Sequence, residues 1–149
     1  GVFCLQTGAL IRWVQGTLTE HECRLFSKLI EFFLPGDIVL ADRGFSGYGQ
    51  LAILWNRGVD SLMRIHQRRK VDWRKGRRLG KRDRLVTWRR PQRQSSVFDA
   101  MQWENLPEEL TLRIVRIEVK VKGFRTQQLT LVTTLLNADI YSARSRAAN

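Results

Sequence analysis

Asp42 is the residue whose side chain is the strongest candidate for chemistry. It directly follows the apolar run in the segment GDIVLADRGF at positions 36–45. Residues 38–41 are consecutive apolar side chains between Pro35-Gly36 and Gly44, a pattern typical of a strand buried on both faces. An Asp directly after such a strand reaches the crevice at the carboxyl edge of the sheet, where open α/β folds bind ligands. Asp42 is therefore a candidate ligand, and Gly44 is expected to let the backbone turn sharply beside it.

The same position has an ordinary structural explanation. Asp is a favoured N-cap residue, so Asp42 could instead cap the element that follows. It could also pair with the adjacent Arg43. The local sequence by itself leaves these interpretations open.

Positive charge is concentrated between Arg64 and Arg93. This window holds 14 of the 26 Lys and Arg residues against two acids, Asp72 and Asp83, so the whole net charge of +12 lies within it. A self-repelling block with interleaved aromatic residues favours a polyanionic partner, and we predict a phosphate-binding surface. The alternative is a solvated loop.

The predicted DNA contacts in this window are of three kinds. Arg64, Arg68, Arg69 and Lys70 lie at and after the end of a predicted strand and are expected to contact backbone phosphates. The glycine-containing segment 74–82 is expected to be a mobile loop in the absence of DNA. Trp88 is a candidate for stacking on an extruded base, with packing in a small core as the alternative. The full set is Arg64, Arg68, Arg69, Lys70, Arg74, Lys75, Arg77, Arg78, Lys81, Arg82, Trp88, Arg89 and Arg90.

The elements that position these residues follow from the apolar periodicity. A capping box at 19–22 predicts the start of an amphipathic helix. Alternating apolar and charged residues after position 110 predict a half-exposed strand, which Lys122-Gly123 would turn. The predicted order is a hairpin of residues 2–5 and 9–14, a helix over 23–33, the strand before Asp42, a helix over 49–57, and strands over 60–65, 110–121 and 128–136.

Composition bounds the class of protein. A length of 149 residues suits one domain with its own core. No apolar run approaches the roughly 18 to 20 residues that span a bilayer, and residues 1–10 lack the features of a signal peptide. We therefore expect a soluble, intracellular protein without membrane contacts. Two cysteines are too few for a disulfide framework, and we expect both to be buried small hydrophobic residues.

The order of these segments resembles the DDE transposases of bacterial insertion sequences. The resemblance lies in DIVLADRGF after a helix ending in LPG, then RGVDSLMRIHQRR, then GFRTQQLTLVTTLL, and it spans residues 1–139. It implies an α/β fold, an RNase H-like mixed sheet with flanking helices that carries a β-rich basic insertion. The implied parts are a partial catalytic core at 1–67, the insertion at 68–127, and a return strand with the start of the catalytic-helix region at 128–149.

The resemblance also implies a function, DNA transposition. Members of the family bind double-stranded DNA at transposon ends and use three carboxylates to hold two Mg²⁺ ions for phosphodiester cleavage and strand transfer. Asp42 matches the second catalytic Asp, so the resemblance makes it a catalytic and metal-binding residue. A homodimer and a location in the bacterial cytoplasm are further expectations.

The other two carboxylates of the family have no match in this sequence. The first would lie on a strand before residue 2. The closing motif is Tyr, Arg, Glu and Lys in order, and Tyr141 and Arg144 fit its spacing, but Ala148 stands where Glu is required. We therefore expect an internal segment of a transposase that does not transpose DNA by itself.

Substitute carboxylates for the missing pair are not apparent. Asp37 opens the strand that Asp42 ends, about 16 Å away at a strand's rise per residue, and Asp60 opens another strand. The alternative function is a non-catalytic basic DNA-binding module or an inactive transposase remnant. An RNA-binding β domain is a third possibility, although it would require aromatic residues on exposed strand faces.

Overall fold

The computed structural model describes residues 1–119 and 128–142. The predicted turn at Lys122-Gly123 and the positions of Arg144 and Ala148 lie outside these ranges. The elements in chain order are β1 (Val2–Phe3), β2 (Leu10–Arg12), α1 (Glu22–Ile30), β3 (Ile38–Ala41), a 3₁₀ turn (Arg43–Phe45), α2 (Tyr48–Asn56), β4 (Asp60–Arg64), β5 (Arg77–Gly80), β6 (Asp83–Arg89), α3 (Ala100–Glu104), β7 (Glu109–Glu118) and β8 (Gln128–Thr133).

Six of these strands form one mixed sheet in the order β3-β4-β8-β7-β6-β5, and β1 and β2 form a separate antiparallel hairpin. Strands β3 and β4 are parallel, with Ala41 opposite Met63, and the other neighbours are antiparallel. A mixed sheet with helices confirms the predicted α/β class. The RNase H-like assignment stays a prediction. Strands β5 to β7, from the segment predicted as an insertion, extend the sheet that contains β3, β4 and β8.

The hydrophobic core lies against one face of this sheet. Met63, Val132 and Ile114 are register neighbours on three adjacent strands, and all three are buried in one cluster with residues of the three helices. Helix α2 connects the parallel strands and buries Leu51 and Leu54 completely. This packing fixes where β3 and β4 end, and so fixes the position of Asp42.

Strand β3 differs from its prediction. Val39 is buried, but the side chains of Ile38 and Leu40 are 45% and 52% exposed, so the expectation of burial on both faces is wrong. The physical reason is that, among residues 1–119 and 128–142, the face of β3 that carries Ile38 and Leu40 is only partly covered, at the open edge of the sheet.

Strand β7 also differs, because its centre is not half-exposed. Arg113 points into the protein, where its Nε and Nη2 donate to the two carboxylate oxygens of Asp83 at 2.8 and 2.6 Å. Its Nη1 donates to the carbonyl of Tyr141 at 2.7 Å. The alternating pattern identified the strand correctly but assigned this charge to the surface, because the buried partner comes from another strand.

Three local predictions are wrong, and one helix was not predicted. Helix α1 starts with His21 at its N-cap and no side-chain capping bond, so the predicted capping box at 19–22 is wrong. Helix α3 was not predicted, although Asp99 and Gln102 form a reciprocal capping box at its start. Part of the predicted mobile loop 74–82 is instead strand β5, hydrogen-bonded to β6 in a tight hairpin. The expectation that both cysteines are buried is wrong, since Cys4 and Cys23 are free and only partly buried.

Candidate phosphate-binding site beside Asp42

Asp42 lies directly after β3, at the carboxyl end of the parallel pair β3–β4, as the sequence predicts. Its side chain is 65% exposed. Its backbone carbonyl accepts a hydrogen bond from Phe45 at 3.0 Å, but its carboxylate makes no capping bond within the described part of the chain. Arg43 donates to Gln67 Oε1 at 2.9 Å, and the cation beside Asp42 is Arg64, with Nη1 3.9 Å from Oδ1. The carboxylate is therefore accessible to a ligand.

The turn after Asp42 does not depend on glycine. Gly44 lies in a 3₁₀ turn and is not among the glycines with positive φ. Among the described residues, no atom lies within 4 Å of a Cβ built at this position. The expectation that Gly44 makes the turn possible is wrong, because an ordinary 3₁₀ geometry achieves it.

The remaining carboxylates of the parallel pair lie at its opposite end. The Asp60 amide donates to the Asp37 carbonyl at 2.9 Å. Asp37 Oδ2 accepts from the Leu34 amide at 2.8 Å, and Asp60 Oδ1 accepts from Thr134 Oγ1 at 2.8 Å. Both are thus engaged in local structure away from Asp42.

A two-metal site does not fit the described residues. Residues 1–119 and 128–142 contain every Asp and Glu of the chain. In these ranges no group of three or more His, Cys, Asp or Glu side chains is arranged to hold a metal ion. Asp42 provides one carboxylate and Arg64 brings positive charge close to it, so the Mg²⁺ expectation stays a prediction with one ligand.

A cavity of about 440 Å³ lies next to Asp42. It is formed by the 3₁₀ turn, the end of β4 with the chain that follows it, and the facing ends of β7 and β8. Among the described residues its lining holds five Lys or Arg side chains and a histidine, with no Asp or Glu. We call it the cationic pocket, and its lining residues are Arg43, Arg64, Ile65, His66, Gln67, Arg69, Lys70, Val71, Arg116 and Thr130.

Neutral groups contact two arginines of the cationic pocket, Arg116 and Arg69. Arg116 Nε donates to Thr130 Oγ1 at 3.0 Å, across the β7–β8 register pair that these two residues form. Its guanidinium carbon lies 5.1 Å from the centre of the Trp73 ring. The guanidinium carbon of Arg69 lies 3.7 Å from the centre of the Trp88 ring. These contacts orient the side chains without neutralising them.

Of the 13 predicted DNA contacts, Arg64, Arg69 and Lys70 line the cationic pocket. Trp88 packs partly buried against the core, with Arg69 over its ring, and base stacking by Trp88 stays a prediction. A further group of predicted contacts is exposed to solvent on the loop after β4 and on the β5–β6 hairpin: Arg68, Lys75, Arg77, Arg78, Lys81 and Arg82.

The other predicted contacts already have protein partners. Arg74 donates from Nε and Nη2 to Asp72, at 3.0 and 3.2 Å, and these hydrogen bonds lower the Asp72 pKa to about 2. Arg89 pairs with Glu109 at 3.0 Å across β6 and β7. These charges are partly neutralised within the fold.

Arg90 is hydrogen-bonded to the backbone of the protein. Its Nη1 donates to the carbonyls of Trp103, Glu104 and Leu106 at 3.1, 2.9 and 2.7 Å. These carbonyls lie at and after the C-terminal end of α3, where helix carbonyls lack intrahelical partners. The geometry therefore makes Arg90 a C-terminal cap of α3, and its DNA contact stays a prediction.

Sequence reasoning did not assign Arg43 and Arg116 to the phosphate-binding surface. The signal for Arg43 was its place directly after the candidate ligand Asp42. Arg116 gave no comparable signal, since its place depends on the pairing of β7 with β8 and on Trp73, 43 residues earlier in the sequence.

Comparison with protein-family models, with curated proteins and with solved structures finds no match to this chain. In residues 1–119 and 128–142, no helix has the length and apolarity to cross a membrane. The functional conclusion therefore depends on the cationic pocket and on the residues around it.

Proposed function

We propose that this chain is a transposase-derived domain that binds double-stranded DNA by its phosphates, centred on the cationic pocket. The observation that carries the proposal is the lining of that pocket, five Lys or Arg side chains with no Asp or Glu among the described residues. A concave surface of one sign focuses its electric field and raises the local concentration of a polyanion. The release of counterions from DNA then supplies much of the binding free energy.

Further exposed cations of the basic window lie on the loop after β4 and on strand β5. Arg68 follows His66 in the loop after β4, while Arg77 and Arg78 lie on the edge strand β5. No Asp or Glu lies within 4.0 Å of these three side chains. Their charges are available to a DNA backbone that runs past the pocket.

Catalysis with Mg²⁺ would require further carboxylates beside Asp42. Transposition, with Mg²⁺ and a homodimer at transposon ends, comes from the sequence resemblance, which also matches Asp42 to one of the three catalytic carboxylates of the family. Because the described residues hold no second carboxylate there, we propose DNA binding as the activity of this chain by itself. Mg²⁺-dependent nicking of a plasmid that disappears in Asp42→Asn would instead establish a catalytic protein.

The test of DNA binding is fluorescence anisotropy with a labelled duplex at several salt concentrations. We expect the affinity to fall steeply with salt and to be lost when five cations of the surface become alanine, namely Arg68, Arg69, Lys70, Arg77 and Arg78. The matched control is Arg24→Ala, since Arg24 is an exposed arginine on α1 outside the basic window. Absent or salt-insensitive binding would contradict the proposal.

A further inference from the structure

We propose that the cationic pocket is a dedicated site for a single phosphate group, and that Trp73 and Trp88 are positioning residues that orient two of its arginines. This inference deepens the proposed function and rests on it, because the phosphate would belong to the DNA backbone. It also assigns both tryptophans a role that does not involve a base.

The contact of two arginines with aromatic rings is the first support. The guanidinium carbon of Arg69 lies 3.7 Å from the centre of the Trp88 ring, and that of Arg116 lies 5.1 Å from the centre of the Trp73 ring. A ring face attracts a guanidinium without neutralising its charge, so its N–H donors stay available to the oxygens of a phosphate. Both arginines line the pocket, so these donors border one cavity.

The side-chain hydrogen bonds of the pocket add to this order. Arg116 uses Nε for Thr130, and Arg43 uses Nη1 for Gln67, which leaves other donors on each guanidinium. An arginine fixed before binding loses less conformational entropy when the ligand arrives. The protein's own side chains therefore supply part of the order of the pocket.

The charge balance points to an anion as the ligand. No Asp or Glu side chain lies within 4.0 Å of a cationic nitrogen of Arg43, Arg69, Lys70 or Arg116. Arg64 makes the one such contact at the rim, to Asp42 at 3.9 Å. The two non-bridging oxygens of a backbone phosphodiester, a tetrahedral monoanion, could accept hydrogen bonds from several of these groups at once.

The role of Trp88 follows from the same contact. A base can stack only on an open ring face, and Arg69 covers one face of Trp88 while the side chain packs against the core. The Trp88 ring therefore acts by orienting Arg69. Trp73 stands in the same relation to Arg116.

Isothermal titration calorimetry with pyrophosphate tests whether the pocket binds phosphate. We expect binding that weakens at least about tenfold in Arg69→Gln and in Arg116→Gln, because each change removes a charge-assisted contact. Arg24→Gln is the matched control, an exposed arginine on α1 outside the pocket and outside the basic window, and should change the affinity less than about twofold. Equal losses in all three variants, or none in the pocket variants, would overturn the inference.

Two substitutions at Trp88 test the positioning role. Trp88→Phe keeps an aromatic face and should retain pyrophosphate binding within about threefold, whereas Trp88→Leu keeps apolar bulk and should lose about fivefold or more. Thermal unfolding of both variants identifies a loss due to the fold. If Trp88→Leu does not fold, the same comparison is made with Trp73→Leu and Trp73→Phe, because Trp73 contacts Arg116 in the same way. Equal affinities of the folded Leu and Phe variants would overturn the positioning role.

The outcomes separate this inference from the proposed function. DNA binding that persists unchanged in Arg69→Gln and Arg116→Gln would overturn the phosphate site and leave DNA binding in place. Pyrophosphate binding that depends on these arginines, without any binding of duplex DNA, would support the site and contradict the proposed function.

Discussion

Arg113 and Arg116 lie three residues apart on strand β7 and have opposite environments. Arg113 is buried in the centre of the sheet, where both oxygens of Asp83 and a backbone carbonyl accept its hydrogen bonds. Arg116 is half-buried at the strand's end, held by Thr130 and Trp73. The comparison separates an arginine whose donors are taken up by a carboxylate and a carbonyl from one whose contacts with a threonine and a ring leave other donors unused.

The same distinction divides the rest of the basic window. Arg74, Arg89 and Arg90 have carboxylate or carbonyl partners, and Arg69 has an aromatic one. A count of charges in the sequence cannot make this division. The comparison therefore predicts which substitutions change stability and which change binding.

The largest effect is expected at the buried pair. Replacing Arg113 by Ala leaves Asp83 as a buried, unpaired charge, which costs about 3 to 5 kcal/mol of unfolding free energy. Urea denaturation measures it. The double variant Asp83→Leu with Arg113→Met should recover most of this loss. If Arg113→Ala lowered the unfolding free energy by less than about 1 kcal/mol, Arg113 and Arg116 would not differ in their effect on stability.

The matched substitution on the same strand should have the reverse profile. Arg116→Ala is expected to weaken duplex DNA binding about tenfold, because a charge-assisted phosphate contact is lost. Its unfolding free energy should fall by only about 1 kcal/mol, for one hydrogen bond and one ring contact. Anisotropy and urea denaturation on the same sample give both values. A stability loss as large as that of Arg113→Ala would show that Arg116 is structural.

Arg90 sharpens the comparison, because the sequence places it among the DNA contacts. Arg90→Ala leaves the carbonyls at the end of α3 without this donor and should cost about 1 to 2 kcal/mol of stability. DNA affinity should change less than about twofold. A tenfold loss of affinity at unchanged stability would return Arg90 to the DNA-binding surface.

The smallest effect is expected at the exposed pair of Arg74 and Asp72. Hydrogen bonds from Arg74 lower the Asp72 pKa from 3.8 to about 2. A carboxylate with a lowered pKa contributes stability that is present above its unfolded pKa and is lost as pH falls through the folded one, here between about 4 and 2. In Arg74→Ala, the Asp72 carboxyl titration by NMR should move back toward 3.8. An unchanged titration would contradict the pairing.

Much of the architecture could be predicted from local sequence. The turn signals around residues 38–41 gave β3 and the place of Asp42 at the carboxyl edge, and apolar periodicity gave α2 and β4. Exposure of one face of β3 could not be predicted, because it depends on the strand's edge position in the sheet.

The prediction of the site was limited by contacts between residues that are far apart in the sequence. The pairing of Arg113 with Asp83 depends on the register of β6 against β7, and the place of Arg116 depends on β8 and Trp73. Local propensity carries no information on either. Helix α3 was predictable, since Asp99 and Gln102 have the spacing of a capping box.

The most direct test of the central claim is the salt dependence of duplex DNA binding in the unmodified chain and in the double variant Arg69→Gln with Arg116→Gln. The claim predicts a steep slope of log affinity against log salt, shallower by about 1 in the double variant for one lost phosphate contact. Arg24→Ala should keep the original slope. Identical slopes in all three proteins, or no binding of DNA, would contradict the claim that the cationic pocket holds a DNA phosphate.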